Sequence, residues 1–432
     1  MHNRLTKISK QCCAFCNKAS LLEIVNFGKV ALAGGFLHSD NFNDELFYPL
    51  RLFFCNNCFS VQVIDYVSSE VLFKNYFYYS SSIQTLNEHF NSYAVEVTER
   101  FLFPEDAIIV EIGCNDGVLL KPLADQKIKT VIGVDPATNV TDTINDSRIH
   151  IINNFFKEEI AQHIILNFGF ADLVLANNVY AHITDIKGVT QAIKNVLNDD
   201  GVFIFEVHYL GKVIDELQFD MIYHEHLYYY SLISLSAHFL KYKMVVFDVK
   251  SVPIHGGSMR FYVCNMSSKY SLKISPNVKM LRDEELSKGY NLATTYKNFG
   301  DEVFKLKYEL IDLLTNLKKE GYSIAGYGAS GRANTLIQYC KISHEHLDYI
   351  IDDSPAKVGY YTPGVHFKIC SNEILNKHNR PDYVLIFAWS FLKEIGNKNI
   401  DYLKRGGKFI IPLPKVEILT YQTYMERSFY NI

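Results

Sequence analysis

The chain has no excess of positive charge: 43 Lys and Arg face 47 Asp and Glu, for a formal net charge of −4. The basic residues are scattered rather than clustered, which argues against nucleic acid as a partner. No run of eighteen apolar residues occurs in the sequence, so no membrane span is expected. The first eleven residues are polar and lack the apolar stretch of a signal peptide. Low-complexity tracts and short-period repeats are absent as well. Nine cysteines, an odd number in 432 residues, do not read as a secreted disulfide scaffold. Together these absences predict a cytoplasmic protein, monomeric or a small oligomer.

What is present supports packed domains. Hydrophobic residues make up 48% and charged residues 21%, enough to build cores and to make disorder a poor description. The length predicts two or three domains, and the pattern divides the chain into three segments, 1–75, 76–268 and 269–432. The first holds five of the nine cysteines and only short strand-like pieces, at 52–55 and 60–64, so it needs a staple other than its own core. The second alternates strand and helix signals. Apolar runs at 107–112, 130–134, 172–176 and 202–207 read as buried parallel strands, and 244–252 with 258–264 as an antiparallel pair at the sheet edge. A charged periodic stretch at 278–320 predicts helices. It leads to a second α/β unit with strands at 322–326, 347–352, 383–387 and 408–411 and a helix from Arg332. The fold class is therefore α/β, with two nucleotide-fold-like units behind a cysteine-rich segment.

The cysteines of the first segment form two C-x-x-C pairs, Cys13 with Cys16 and Cys55 with Cys58. Four thiolates close a tetrahedral shell around one zinc ion, leaving no position for water, so the site is structural. Cys12 could replace Cys13 with one more residue of spacing. A zinc ribbon also raises the rival of a nucleic-acid or protein-binding module, but Lys18, Lys29 and Arg51 are few for that role.

Two glycine-rich turns follow. Glu111-Ile112-Gly113-Cys114-Asn115-Asp116-Gly117 lies between a strand and a helix. Asn115 tolerates the left-handed backbone that a glycine would otherwise supply there. The leading acid, Glu111, suits a cationic ligand rather than a phosphate, and Asp135 ends the next strand, where a carboxylate can accept from ribose hydroxyls. Gly326-Tyr327-Gly328-Ala329-Ser330-Gly331 is a full G-x-G-x-x-G, with Asp352 and Asp353 some twenty residues on. Alone it reads as an NAD site and an oxidoreductase. Its physical content is broader, since a helix N-terminus with close backbone approach also accepts the diphosphate of a nucleotide sugar. Tyr327, Gly328, Ser330, Arg332, Asp353 and Lys357 are candidate substrate contacts, with Arg332 and Lys357 adding charge.

The run Asp220-Met221-Ile222-Tyr223-His224-Glu225-His226 follows a sheet strand. Its histidines are two apart, not the four that a zincin helix needs, so on an extended or turning backbone they should face alike with Glu225 opposed. A second constellation, Asn177-Asn178-Val179-Tyr180-Ala181-His182, ends another strand, and a tyrosine-rich run spans 76–79.

These features occur in an order that resembles the family of S-adenosylmethionine-dependent sugar C-methyltransferases of the dTDP-4-ketosugar C3-methyltransferase type. The shared order is zinc segment, E-x-G-x-N-D-G, Y-H-E-H-L, H-G-G-S-x-R at 255–260, and G-Y-G-A-S-G, across essentially the whole chain. The resemblance implies a class I methyltransferase domain holding S-adenosylmethionine at Glu111, Gly113, Asn115, Gly117, Asp135 and Asn178. It implies a Rossmann-like C-terminal domain shared with a nucleotide-linked ketosugar, dTDP or GDP. It also implies catalytic roles for Tyr76 or Tyr78, His182, Tyr223, Glu225 and His226, with Zn2+ structural. Ser258 and Arg260 would contact the sugar diphosphate or sit at the domain junction.

Overall fold

The computed structural model describes residues 8–9, 12–73 and 79–427. The N-terminal segment builds a long hairpin, Leu21–Ala31 (β1) and Phe47–Cys55 (β2), followed by Val61–Val63 (β3). The expectation of only short strands here is corrected, and the reason is instructive. The polar outward residues of β1 mask its alternation, while its inward Val25, Phe27 and Val30 are buried. A fourth strand, Tyr228–Tyr229, comes from far along the chain and pairs antiparallel with β3.

The two cysteine pairs are matched knuckles. Asn17 N–H donates to Cys13 O and Phe59 N–H to Cys55 O, and each closing residue adopts positive φ, 59° and 61°. This brings the sulfurs of Cys13, Cys16, Cys55 and Cys58 within 4.8 Å of one another, a donor set suited to one zinc ion; Cys12 stands outside it. Gln62 of β3 buttresses the cluster, donating from Nε2 to Cys13 Sγ at 3.1 Å while its Oε1 accepts from Ala14 N at 2.9 Å. Gln62 also pairs in register with Tyr228, so the metal cluster and the strand after the Y-H-E-H run share one residue.

The helix Gln84–Phe101 (α1) buries Leu86, Phe90, Tyr93, Ala94, Val97 and Phe101 along one stripe against the central sheet. That sheet comprises Ile108–Ile112 (β4), Thr130–Val134 (β5), Ile149–Ile152 (β6), Ala171–Asn177 (β7), Leu197–His208 (β8), Met244–Val252 (β9) and Ser258–Asn265 (β10). Their spatial order is β9-β10-β8-β7-β4-β5-β6. The five strands from β8 to β6 are parallel, β10 runs antiparallel to β8, and β9 antiparallel to β10. This is a class I methyltransferase sheet. The buried apolar runs predicted for it are all present, and the antiparallel pair closes one edge as expected.

The charged stretch folds as Pro276–Ser287 and the long helix Ala293–Lys319 (α2), whose Tyr296, Phe299, Val303, Leu306, Leu310, Leu314 and Leu317 are buried at helical spacing. The C-terminal sheet follows: Ile324–Tyr327 (β11), helix Gly331–Cys340 (α3), Ile350–Asp352 (β12), Ile369–Ser371 (β13), Tyr383–Ile386 (β14), Lys408–Ile411 (β15) and Glu417–Leu419 (β16). Its order is β13-β12-β11-β14-β15-β16, parallel except for the last strand. One continuous core joins Val25, Leu50 and Phe54 of the hairpin to Leu306, Leu336 and Ile350 of the C-terminal unit. Tyr296 stacks on Phe54 at 4.1 Å, and an added Cβ on Gly300 would lie 2.6 Å from Ile24 O, so α2 lies directly on β1. Among the described residues no helix is long and apolar enough to cross a membrane.

Purified protein is expected to carry about one zinc per chain by elemental analysis. Cys55→Ser should lose the metal and lower the melting temperature. Folded, active protein with no zinc would contradict the assignment.

Candidate functional site

The cleft at the end of β4 is built by a turn only glycine can make. Gly113 adopts φ +70°, and a Cβ there would meet Val179 Cγ2 at 2.2 Å. Asn115 follows with φ 50° and Gly117 with φ 76°. Asp135 ties this turn to β5, its Oδ2 accepting from Asn115 N at 3.0 Å and its Oδ1 from Ala137 N at 2.9 Å. Each carboxylate oxygen keeps a second lone pair. Ser80 N donates to Asn115 Oδ1 and Ser81 N to Asp116 Oδ2, so the segment after the tyrosine-rich run folds over the turn. Tyr76 and Tyr78 themselves lie outside the described residues.

Three acids face this cleft. Glu111 is buried, and desolvation, reinforced by the charges of Asp135 and Asp116, pushes its carboxyl up to about 8 against the pull of Asn177. Its Oε1 accepts from Asn177 Nδ2 at 3.3 Å. Its Oε2, together with Asn177 Oδ1 and Asp116 Oδ1, is buried with no hydrogen-bond partner among the described residues. Orphaned acceptors in an acidic cleft fit a ligand bearing an ammonium and a sulfonium. Asn178 continues the wall at φ 55°, its N–H held by Glu206 O. Asn177 and Asp116 were not among the residues singled out from sequence, although both stand inside quoted motifs.

The Y-H-E-H run is a tight turn closed by His226 N–H donating to Tyr223 O at 3.0 Å. This geometry corrects the expectation that His224 and His226 face alike. His224 is buried against β2, with Nε2 donating to Pro49 O at 3.1 Å. His226 turns the other way, and its Nδ1–H donates to Met221 O at 2.8 Å, which leaves the lone pair on Nε2. The His226 ring lies 4.0 Å from Tyr223 and 5.0 Å from His182, which stacks in turn on Phe73 at 5.6 Å. Burial lowers His226 to about 4 despite the Met221 carbonyl, with the charges of His255 and Arg332 adding to the effect. Burial likewise holds His182 well below its ordinary value. Glu225 is half-buried in the turn.

All three modules hold this turn. From the N-terminal sheet come Pro49 O and the Val63 N–H, which donates to Leu227 O; from the central domain comes Ala181 O, accepting from Leu227 N. From the C-terminal unit, Thr335 Oγ1 donates to Ile222 O at 2.8 Å, and an added Cβ on Gly331 would meet the Tyr223 ring at 3.2 Å. Arg332 adds a bidentate pair to the fully buried Asp220, at 2.8 and 3.1 Å.

Several expected substrate contacts have other employment. Arg260 is 2% exposed inside the central domain, bonded to Glu206 and Glu96 and lying over the Tyr93 ring, and Ser258 donates to Ile254 O. Both side chains are buried. Arg332 is committed to Asp220, and Lys357 to Ala329 O and Asp352. Tyr327 is packed in the C-terminal core with its hydroxyl on Asp353, which also pairs with Lys398. Asp352 accepts from Ala329 N of the glycine turn. Both acids are therefore engaged within the C-terminal unit. Ser330 caps α3 through Ala333 N, and Gly328, at φ +98°, lies against Ala388.

Two histidines missing from the sequence-derived set lie within reach of the His226 charge. His208 ends β8, and His255 lies in the β9–β10 loop with φ 53°. Quotation of the H-G-G-S-x-R motif could have found His255. Only the end of an apolar strand marks His208.

Comparison with known proteins matches three family models in chain order. These are a zinc binding domain at 13–73, a methyltransferase domain at 86–242 and a C-methyltransferase C-terminal domain at 253–414. The C-methyltransferase NovU of Streptomyces niveus is 31% identical over 409 residues, covering 94% of this chain and 96% of its own. Among solved structures, the magnesium protoporphyrin IX methyltransferase of Synechocystis is 12% identical over 41% of this chain and 82% of its own, at TM-score 0.32. A Thermotoga maritima methyltransferase is 17% identical over 41% of this chain and 90% of its own, at TM-score 0.30. Likeness that distant carries no weight here.

The raised Glu111 carboxyl has a measurable consequence. A carboxyl titrating near 8 is mostly protonated at pH 7, and a cation bound beside it favours the ionised form. Binding of S-adenosylmethionine at pH 7 is therefore expected to release about one proton, read by calorimetry in buffers of different ionisation enthalpy. Affinity should rise as pH increases from 6 to 8, and Glu111→Gln should abolish both effects. Proton release unchanged in that variant would contradict the assignment.

Proposed function

Because this chain belongs to the S-adenosylmethionine-dependent sugar C-methyltransferases with an N-terminal zinc-binding module, we propose that it methylates C3 of a nucleotide-linked 4-keto-6-deoxysugar, carried on dTDP or GDP, after His226 removes the proton beside the ketone. The observation that carries this reading is the His226 ring itself. Its Nδ1 is fixed on Met221 O, its Nε2 holds a lone pair, and its neighbours are Tyr223 and His182.

A proton α to a ketone is only weakly acidic, so its removal needs a positioned base and donors for the enolate oxygen. Burial keeps His226 unprotonated across the physiological range. The imidazolium formed on proton removal would be costly among His255 and Arg332 unless an anion forms beside it, and the enolate is that anion. Tyr223 and His182 flank the base and can donate to the substrate oxygen or orient it. Glu225, in the same turn, can support the imidazolium electrostatically. Glu111, Asn177 and Asp116 hold the ammonium end of S-adenosylmethionine, and Asp135 the ribose. When bound, that molecule supplies an electrophilic methyl group. Holding the nucleophilic carbon in line with that group provides much of the rate. The N-terminal end of α3, at Ser330, is where the sugar nucleotide would approach the C-terminal unit.

Incubation with S-adenosylmethionine and a panel of dTDP- and GDP-linked 4-ketosugars should give one sugar carrying one added methyl by mass, with the new carbon at C3 by NMR. His226→Asn should keep ligand binding while turnover falls by roughly a hundred- to ten-thousandfold, as loss of a general base does. Wild-type turnover in that variant would remove His226 from the role.

A further inference from the structure

The zinc module reaches the paired imidazoles through the backbone. Val63 N–H of β3 donates to Leu227 O at 2.8 Å, and Leu227 N–H donates in turn to Ala181 O at 2.9 Å. Leu227 follows His226 and Ala181 precedes His182, so this two-step ladder pins the residue beside each imidazole. The two rings lie 5.0 Å apart at an interplanar angle of 20°, and a shift of either turn changes that spacing.

Two routes tie this ladder to the four thiols. Gln62, the residue before Val63, is fully buried, and its amide is completely used. Nε2 donates to Cys13 Sγ at 3.1 Å and to Ser60 Oγ at 2.8 Å, while Oε1 accepts from Ala14 N at 2.9 Å. Ser60 Oγ therefore keeps its own proton for a thiolate, with Cys58 Sγ at 3.3 Å and Cys13 Sγ at 3.4 Å. The Gln62 backbone stands in register between Phe53 of β2 and Tyr228. The second route starts inside the first knuckle. Phe15, between Cys13 and Cys16, meets Tyr228 edge-on at 4.9 Å and Tyr230 at 6.1 Å. The Tyr230 hydroxyl donates to Tyr180 O at 3.0 Å, two residues before His182. Lys241 Nζ, donating to Phe15 O at 3.0 Å, fastens the knuckle to the central domain. Hydrogen bonds from neighbouring side chains to metal-bound thiolates set both metal affinity and ligand orientation. A staple serving the first segment alone would need neither route.

Resting on the functional reading above, we propose that the cysteine cluster is a positioning device for the reaction, with Gln62 and Phe15 as its positioning residues. The closed cluster fixes Gln62 and Phe15, and these fix β3 and the strand Tyr228–Tyr229. Through Leu227 and Ala181 that order reaches His226 and His182. Both positioning residues act through other residues and take no part in the chemistry. Misplacing a reacting group by about 1 Å through a change far from the chemistry can cost roughly a hundredfold in rate, so the effect is measurable.

The test uses full-length protein in excess zinc, each variant checked to hold about one zinc per chain. Gln62→Leu removes the donor to Cys13, and Phe15→Leu removes the ring while all four cysteines stay. The two changes are independent, so if one variant does not fold the other decides. Both are expected to speed amide hydrogen exchange at Val63 and Leu227 at least about tenfold, with the amides from Gly113 to Gly117 unchanged. Gln62→Leu should also weaken zinc by roughly ten- to a hundredfold in chelator competition. With a ketosugar that the wild type methylates, kcat should fall by roughly ten- to a hundredfold, while KM and S-adenosylhomocysteine affinity are retained. Failure of the wild type to methylate any ketosugar would overturn the functional reading, and amide exchange would still decide the coupling. Wild-type amide exchange at Leu227 in the zinc-loaded variants, or wild-type kcat with only the melting temperature lowered, overturns the proposal.

Discussion

The guanidinium of Arg332, at the start of α3, forms two hydrogen bonds to Asp220 and lies 4.6 Å from the centroid of the Trp389 ring, whose indole N–H donates to the same carboxylate. Asp220 is wholly buried, and these donors satisfy its carboxylate oxygens. The pair sits three residues before Tyr223 and fixes where the turn begins. With Thr335 on Ile222 O, it determines that the C-terminal unit docks on the back of the imidazole cluster rather than swinging free. Removing one partner of such a pair typically costs about 3–5 kcal/mol, because the other charge is left buried and alone.

The zinc module acts on the same few residues from the opposite side. Its thiols organise the knuckles, Gln62 carries that order into β3, and β3 pairs with Tyr228–Tyr229 immediately after His226. The structural metal cluster thus sets the exit of the turn, while the Asp220 ion pair sets its entrance. Between them lie two contrasting environments: the acidic cleft of Glu111, Asp116 and Asp135, which suits a cation, and the buried, uncharged imidazoles of His182 and His226.

The central sheet was legible because fully buried parallel strands read as unbroken apolar runs, as at Ile108–Ile112 and Ala171–Asn177. The cysteine spacing revealed the metal cluster for a similar reason, since a knuckle's geometry is local. The long hairpin was missed because β1 spends many of its positions on polar outward residues. Arg260 and Arg332 read in one dimension as charges free to meet a phosphate, because their carboxylate partners Glu206 and Asp220 lie 54 and 112 residues away. His224 and His226 diverge because a tight turn, not a strand, connects them.

The account holds that the Asp220–Arg332 pair positions the base without touching either ligand. Asp220→Asn tests this most directly, by α-proton exchange of a 4-ketosugar alongside S-adenosylhomocysteine affinity and zinc content. The expected result is loss of exchange by roughly a hundredfold, as when a base is displaced, with the methyl-donor cleft and the metal cluster intact. Exchange at the wild-type rate in that variant would contradict the account.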